Sequence, residues 1–319
     1  MVDDAPLRVV FFGTPDFSVP TLEALLDSRH TVVGVVTQPD RPRGRGQKTT
    51  DAPAKARARA AHVPLLQPDT LRDAAFLPAL AGLKADIGVV AAYGRILSDR
   101  ALAAPRLGMI NVHASLLPRY RGAAPVHRAI MAGETETGVT LMRVVRALDA
   151  GPVLAAVRRP IGVNETSREV ERDLAVIGAS LLVATLERLT RHELRETPQD
   201  ETIATYAPRL TKEDGLVDWN QPAGRVHNHI RGLHPWPHAH SFLRGRRLIL
   251  RRSVVSDDRP CGAAPGTIIA AHGDELRVAA GAGIVDLLEV QAEGKRPMSA
   301  RDFLAGHPLM VGDRFSAAA

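Results

Sequence analysis

Residues 7–13 read LRVVFFG and residues 31–37 read TVVGVVT. Each is an almost unbroken apolar run, the mark of a strand covered on both faces in a parallel sheet rather than half-exposed in an antiparallel one. Between them, Phe17 to Leu26 shows helical spacing. The order strand, helix, strand predicts right-handed βαβ winding. The pattern continues through Ala54 to Ala61 (helix), Val63 to Leu66 (strand), Leu71 to Leu83 (helix), Asp86 to Ala91 (strand) and Gly108 to Ala114 (strand). Asp51 is the expected cap of the first of these helices. Beyond them come a helix at Ala124 to Ala132, a strand at Gly138 to Val145, an edge strand at Val153 to Arg158 and a long helix at Thr166 to Leu189. The fold class is therefore α/β, a Rossmann-like, doubly wound, mostly parallel sheet.

Composition changes near residue 190. Residues 191–207 read as a polar linker. Beyond 208 the strands shorten, at 246–255, 266–270, 276–280 and 284–290, after one helix at 223–233. This predicts a small C-terminal β-barrel. The expected domains are 1–190, a linker at 191–207, and 208–319.

Composition narrows the function. The chain has 319 residues, 45% hydrophobic and 24% charged, as in an ordinary globular protein. No apolar run could span a membrane and the start, MVDDAPLR, is not signal-like, so the expected location is cytoplasmic. Cys261 is the sole cysteine, which excludes an internal disulfide or a cysteine-based zinc cluster. Aromatic residues make up 4%, too few for a base-stacking surface. Residues 41–59 carry seven Lys or Arg and one Asp, a surplus equal to the whole chain's net +6. Their concentration in a loop (QPDRPRGRGQKTT, 38–50) without periodicity favours contact with a polyanion over a plain solvated face.

The chemistry centres on Asn111 to Gly122, NVHASLLPRYRG, at the end of an apolar strand. Alternation puts Asn111 and His113, and Ser115 if the strand runs on, on one face, with Val112 facing the core. An amide donor beside an imidazole at a strand's carboxyl end suits stabilisation of an oxyanion and transfer of a proton. The plainer alternative is two polar residues satisfying backbone groups. Asp149, in the turn Leu148-Asp149-Ala150-Gly151, is either a turn-former or the carboxylate that orients His113, and spacing does not decide between them.

Other motifs are informative by absence. The turn Gly13-Thr14-Pro15-Asp16 lacks a phosphate cradle, since Pro15 has no N–H and Asp16 repels anions. No Gly-x-Ser-x-Gly element is present. Residues 227–240 hold five of twelve histidines, but Pro235 and Pro237 interrupt them with no acidic or Cys ligand between, so packing around Trp236 is expected and no metal site. Lys295 and Arg296, with Arg244, Arg246, Arg247, Arg251 and Arg252, make local basic patches, either solvated surface or an RNA-contact face.

The run NVHASLLPRYRGAAP, with the later Leu148-Asp149-Ala150-Gly151, resembles the signature of folate-dependent formyltransferases. Further matches are FFGTPDFSVPTLEALL, TQPDRPRGRGQK, Ala92 to Gly94 (AYG), GETETGVTLM, PWP and GKRPMSARDF, covering essentially the whole chain. The resemblance is strongest to the branch that formylates the methionine carried by initiator tRNA. It implies a catalytic domain and then a barrel resembling an OB fold, which contacts tRNA. It implies a catalytic trio of Asn111, His113 and Asp149, with folate held by Ser115, Leu116, Leu117 and Pro118 and by Ala91, Ala92, Tyr93 and Gly94. It implies a tRNA contact at Arg45, and the charge of the same loop and of the second domain adds Arg41, Arg43 and Lys48 and Lys295 and Arg296 as expected tRNA contacts. The donor would be 10-formyltetrahydrofolate, no metal would be needed, and the acceptor would be initiator methionyl-tRNA gripped at its acceptor stem by a monomer. His127 and Tyr120 stand where many relatives would carry Gln and Trp. A glycinamide ribonucleotide formyltransferase would want the missing phosphate cradle. A sugar-nucleotide formyltransferase would have no long stem for the basic loop to grip. A catalytically silent tRNA- or folate-binding protein would not need the complete trio.

Overall fold

A computed structural model describes residues 5–40, 42–43 and 48–318. In chain order the main elements are β1 (Arg8–Gly13), α1 (Val19–Leu26), β2 (Thr31–Val36), α2 (Pro53–Ala60), β3 (Leu65–Leu66), α3 (Phe76–Gly82), β4 (Ile87–Ala91), α4 (Asp99–Leu102) and β5 (Met109–His113). Next come α5 (Pro125–Ala132), β6 (Glu136–Arg143), β7 (Val153–Pro160), α6 (Ser167–Thr190) and α7 (Ala223–Gly232). The last are β8 (Ala239–Leu243), β9 (Arg246–Asp257), β10 (Ile268–His272), β11 (Glu275–Ala279), β12 (Ile284–Ala292), β13 (Met298–Ser299), α8 (Ala300–Gly306) and β14 (Phe315–Ser316).

The chain forms two units, both discontinuous in sequence: 1–123, 137–159 and 171–207 make the first, and 124–136, 160–170 and 208–319 the second. The segment 191–207, expected as a linker, falls inside the first unit. It is tied down there, with Thr197 and Val153 exchanging both backbone hydrogen bonds. Polarity alone does not distinguish a tether from a strap whose polar groups are satisfied by neighbours.

The first unit is a seven-stranded sheet in the order β7-β6-β5-β4-β1-β2-β3. Neighbours from β5 to β3 run parallel, and β6 is antiparallel to β5. The apolar runs explain this sheet: Val9, Val10, Phe11 and Phe12 are all fully buried because both faces are covered. One face packs Phe12, Val10, Val36 and Met109 against Phe76, Leu80 and Leu97. On the other, Gly178 of α6 lies so close to Val112 and Val139 that a Cβ there would crowd both. The chain leaves β1 for β2 and β3 on one side, then returns to β4 and β5 on the other. The crevice at the carboxyl ends of β1 and β4 is thus the switch point where open α/β sheets bind ligands. Register sets Gly13 beside Ala91 and Val90 beside Asn111, so three candidate segments share this edge.

Several local expectations are corrected. The helix expected from Leu71 begins only at Phe76, because a turn intervenes in which Asp73 accepts from the Ala75 amide. The 38–50 loop carries a short antiparallel ladder, Pro42 with Thr49 and Arg43 with Lys48. Asp51 caps no helix. Ala52 is the N-cap, and Asp51 pairs with Lys55 at 3.0 Å and with Arg59 at 2.6 Å. Lys55, buried despite its charge, also pairs with Asp40, so one ammonium ties together the residues flanking the basic loop. Its carboxylate partners hold it above the ordinary lysine range.

The second unit is an antiparallel sheet in the order β10-β11-β12-β9-β8-β14, with β13 against β12. The two ends meet: Thr267 bridges Arg314, Ile268 donates to the Asp313 carbonyl at 2.8 Å, and Phe315 donates to that of Gly266 at 2.9 Å. The sheet therefore closes, matching the expected barrel. Its interior holds Leu250, Ile268, Leu276, Val278, Val285, Leu287 and Val290, covered by Ile230 of α7. Trp219, not Trp236, is the packing aromatic. It stacks on Phe315 at 5.2 Å and donates its indole N–H to Ser241 at 3.1 Å, whereas Trp236 is 49% exposed. Among the described residues no helix is long and apolar enough to cross a membrane.

Six of the second unit's histidines are drawn into its interior: His127, His227, His229, His234, His238 and His240. Burial depresses the pKa of each, His127 and His238 to about 4. The unfolded chain takes up these protons near pH 6.5, while the folded unit resists until lower pH. Their contribution is complete above pH 6.5 and is lost as pH falls through the folded values. For His127 and His238 a shift of this size corresponds to about 3 kcal/mol each. Urea unfolding followed from pH 7.5 to 4.5 is expected to show stability falling, and the pair His127→Gln and His238→Gln to flatten that fall.

Candidate active site

β5 delivers Asn111 and His113 to the switch-point edge, with Val112 buried between them, as alternation predicts. The strand stops at His113. Ser115 has left the strand face, and its buried hydroxyl donates to the Arg119 carbonyl at 2.7 Å, closing the loop. Thr140 of β6 pins the same loop. Its hydroxyl donates to the Ser115 carbonyl at 2.7 Å and accepts from the Leu117 amide at 3.1 Å. Leu116 lies against Gly138, and the Pro118 carbonyl accepts from Thr205.

Asp149 meets both strand residues. Its Oδ1 accepts from the Asn111 amide at a long 3.5 Å, its Oδ2 lies 3.7 Å from His113 Nδ1, and Oδ2 also accepts from the Gly122 N–H at 2.8 Å. Three segments distant in sequence thus converge on one carboxylate. On the far side of the imidazole, Nε2 lies 3.0 Å from the Tyr120 carbonyl. A carbonyl only accepts, so Nε2 carries a proton, and Nδ1 is the ring nitrogen that faces Asp149. An amide donor, an imidazole nitrogen and a carboxylate therefore stand together at the end of one strand.

Two residues here occupy left-handed backbone without being glycine, Tyr120 at φ +61° and Asp149 at φ +48°. Such conformations cost on the order of 1–3 kcal/mol and persist where surrounding contacts impose them. The contacts come largely from 199–207. Thr205 accepts from the Tyr120 amide at 2.8 Å through its hydroxyl, and its carbonyl accepts from the Arg121 amide at 2.8 Å. Tyr206 and Ala207 pair in parallel with Arg121 and Gly122. Arg121, only 2% exposed, donates to Glu201 at 2.6 and 2.8 Å and to Gln199 at 2.8 and 3.1 Å. Glu201's carboxylate raises the Arg121 pKa still further. None of Gln199, Glu201 or Thr205 is marked by sequence pattern, since isolated polar residues in a polar stretch carry no period.

The second expected folate segment follows β4, the neighbour of β5. Ala91 is buried in the sheet, Ala92 turns the chain at φ +48°, and Tyr93 is buried edge-on to Phe12 with ring centres 5.5 Å apart. The Tyr93 carbonyl accepts from Gln38 at 2.7 Å, and a Cβ on Gly94 would strike the Gln38 amide. Of the basic positions, Arg41 and Arg45 lie outside the described residues. Arg43 and Lys48 face each other across the short ladder. Lys295 and Arg296 are exposed in the turn after β12, whereas Arg244, Arg251 and Arg252 are engaged by Asp313, Glu289 and Glu169. Among the described residues no three His, Cys, Asp or Glu cluster as a metal would require.

Comparison with known proteins agrees with this layout. The model of the formyl transferase family matches residues 7–186, and that of the formyl transferase C-terminal domain matches 209–308. The chain is 45% identical over 307 residues to a methionyl-tRNA formyltransferase of Moorella thermoacetica, covering 96% of this chain and 98% of that one. It is 46% identical, with the same coverage, to one of Sorangium cellulosum. Among solved structures, an N-formyltransferase of Helicobacter canadensis in complex with folinic acid and dTDP-3-aminofucose shares the fold, with TM-score 0.69, 19% identity, and coverage of 88% of this chain and 99% of that one. Aquifex aeolicus HypX in complex with tetrahydrofolic acid superposes with TM-score 0.64 and 18% identity over 98% of this chain and 51% of its own.

The turn that carries Asp149 closes at Gly151, where a Cβ would lie 1.8 Å from the Arg143 carbonyl oxygen. Backbone cannot give as a flexible side chain does. Gly151→Ala is expected to destabilise the protein by about 1–3 kcal/mol in urea unfolding, as overpacking does.

Proposed function

Because this chain belongs to the formyl transferase family, we propose that it transfers the formyl group of 10-formyltetrahydrofolate to the α-amino group of methionine on initiator methionyl-tRNA. The observation that carries the chemistry is the convergence of Asn111, His113 and Gly122 on Asp149. The folate cosubstrate supplies a formyl group on nitrogen, whose oxygen gathers negative charge as an amine attacks its carbon. The donor set fits that need. Asn111 has an amide N–H to spare beside the one directed at Asp149, and His113, when protonated at Nδ1, is a second donor. Asp149, next to both, is the carboxylate through which the proton of the attacking amine passes to the departing folate nitrogen. The loops 91–94 and 115–118, at the ends of adjacent strands, are the proposed folate contacts.

The acceptor assignment rests on charge and on the high-coverage relatives. Arg41, Arg43, Arg45 and Lys48 are proposed to grip the acceptor stem, with Lys295 and Arg296 adding a second contact. The first unit then carries the chemistry and the second extends the tRNA surface. A sugar nucleotide as acceptor would leave the basic loop without a role.

Two measurements test this reading. Asn111→Ala should lower the formylation rate of methionyl-tRNA by roughly 10²–10³-fold while leaving unfolding unchanged, the usual cost of an oxyanion donor. A near-normal rate would remove Asn111 from the chemistry. Neutralising Arg43, Arg45 and Lys48 together should raise KM for tRNA, weaken its dependence on salt and leave KM for the folate donor alone. An equal loss of folate affinity would contradict the role given to the loop.

A further inference from the structure

Gln199 makes four hydrogen bonds to nitrogen and oxygen partners with one carboxamide, beside a longer contact from Nε2 to Met142 Sδ at 3.9 Å. Its Oε1 accepts from Arg121 Nε at 3.1 Å and Nη2 at 2.8 Å, and its Nε2 donates to the backbone carbonyls of Asp149 at 2.9 Å and Gly151 at 2.8 Å. Both ends of the group are therefore fully used, and the partner at its oxygen does not move freely. Arg121 is buried and doubly bonded to Glu201, and its own main chain is paired to 205–207. The Asp149 turn, by contrast, holds a non-glycine residue at φ +48°, a conformation it would not keep unaided. The neighbouring residue of the Arg121 strand, Gly122, is the one whose N–H reaches the Asp149 carboxylate. One face of the carboxylate is thus fixed through the strand beside it, and its backbone is fixed through Gln199, with Arg121 common to both.

We propose that Gln199 is a positioning residue for the formyl-transfer reaction: it clamps the Asp149 turn to the Arg121–Gly122 strand so that the carboxylate stays against Asn111 and His113. This rests on the reading of Asp149 as part of the reacting site. Gln199 touches no substrate; it acts through Asp149. Only a side chain that accepts at one end and donates twice at the other meets these demands. A glutamate of the same shape keeps the Arg121 half but turns a carboxylate oxygen towards two carbonyls, so the turn is released while the buried arginine stays paired.

The test uses the full-length protein with 10-formyltetrahydrofolate and initiator methionyl-tRNA, comparing wild type, Gln199→Glu, Gln199→Leu, Asp149→Asn and the Gln199→Leu/Asp149→Asn pair in single-turnover and steady-state assays. Loss of positioning by about an ångström lowers the rate of chemistry by roughly 10–100-fold. Both Gln199 variants are expected to show that fall in kcat, with KM for either substrate little changed. In the Asp149→Asn background the Gln199→Leu change should cost almost nothing further, because the group it positions is already gone. Unchanged kcat or fully additive losses would each overturn the inference. An inactive wild-type protein would instead overturn the proposed function.

Discussion

The carboxylate of Asp149 is the constraint on which the rest of the site depends. It gathers the Gly122 N–H, the Asn111 amide and the His113 ring within 2.8, 3.5 and 3.7 Å. These groups come from a loop strand and a sheet strand, and the carboxylate from a turn further along the chain. A partly buried carboxylate is costly unless donors replace its water, and here the donors are the groups that chemistry would need in fixed relation. Satisfying the charge and aligning the site are the same event. The strained turn at Asp149 and the left-handed Tyr120, whose carbonyl sets the His113 tautomer, are tolerated because each is held from outside by the 197–207 segment.

The sheet beneath was largely legible. Continuous apolar runs at 7–13, 31–37 and 86–91 become β1, β2 and β4 within a residue or so, because a strand buried on both faces has no other composition open to it. Alternation at 109–113 likewise put Asn111 and His113 on one face. Spacing could not bring Asp149 to them, since nothing local in a turn of small residues states what lies across from it; only the likeness to formyltransferases did. Gln199, Glu201 and Thr205 escaped notice altogether. Their partners are backbone carbonyls and a buried guanidinium supplied from far along the chain, and such pairings leave no period.

The barrel shows the same division. Its long strands were read, but β8 and β14, which complete the ring, were not, because AHSFL and a two-residue strand are too short to show alternation. The helix α8 did carry a signal. Ser299 accepts from the Asp302 amide and donates to its carboxylate, a capping arrangement visible as Ser-x-x-Asp. The basic clusters needed the structure most. Arg251 and Arg252 are adjacent in a run of cations, yet both are spent on glutamates, while Lys295 and Arg296 stand in an exposed turn. Charge counted along a chain overstates charge available to a polyanion.

The turn after β1 and the loop after β2 are where the proposed choice of acceptor would be made. After β1, where a phosphate-binding enzyme would offer free N–H groups, Pro15 has none, the Ser18 N–H and hydroxyl both turn back on the Pro15 carbonyl, and Asp16 is exposed. That turn repels a small phosphorylated acceptor. After β2 the chain carries its cations in a loop whose flanks, Asp40 and Asp51, are drawn onto the single buried Lys55. Gln38, at the loop's root, donates to the Tyr93 carbonyl of the proposed folate segment. A loop with anchored ends and a charged span can be long without losing its place beside the chemistry. The proposed grip on a large anionic acceptor would then rest on fastening the ends of the basic loop rather than on altering the residues proposed to react.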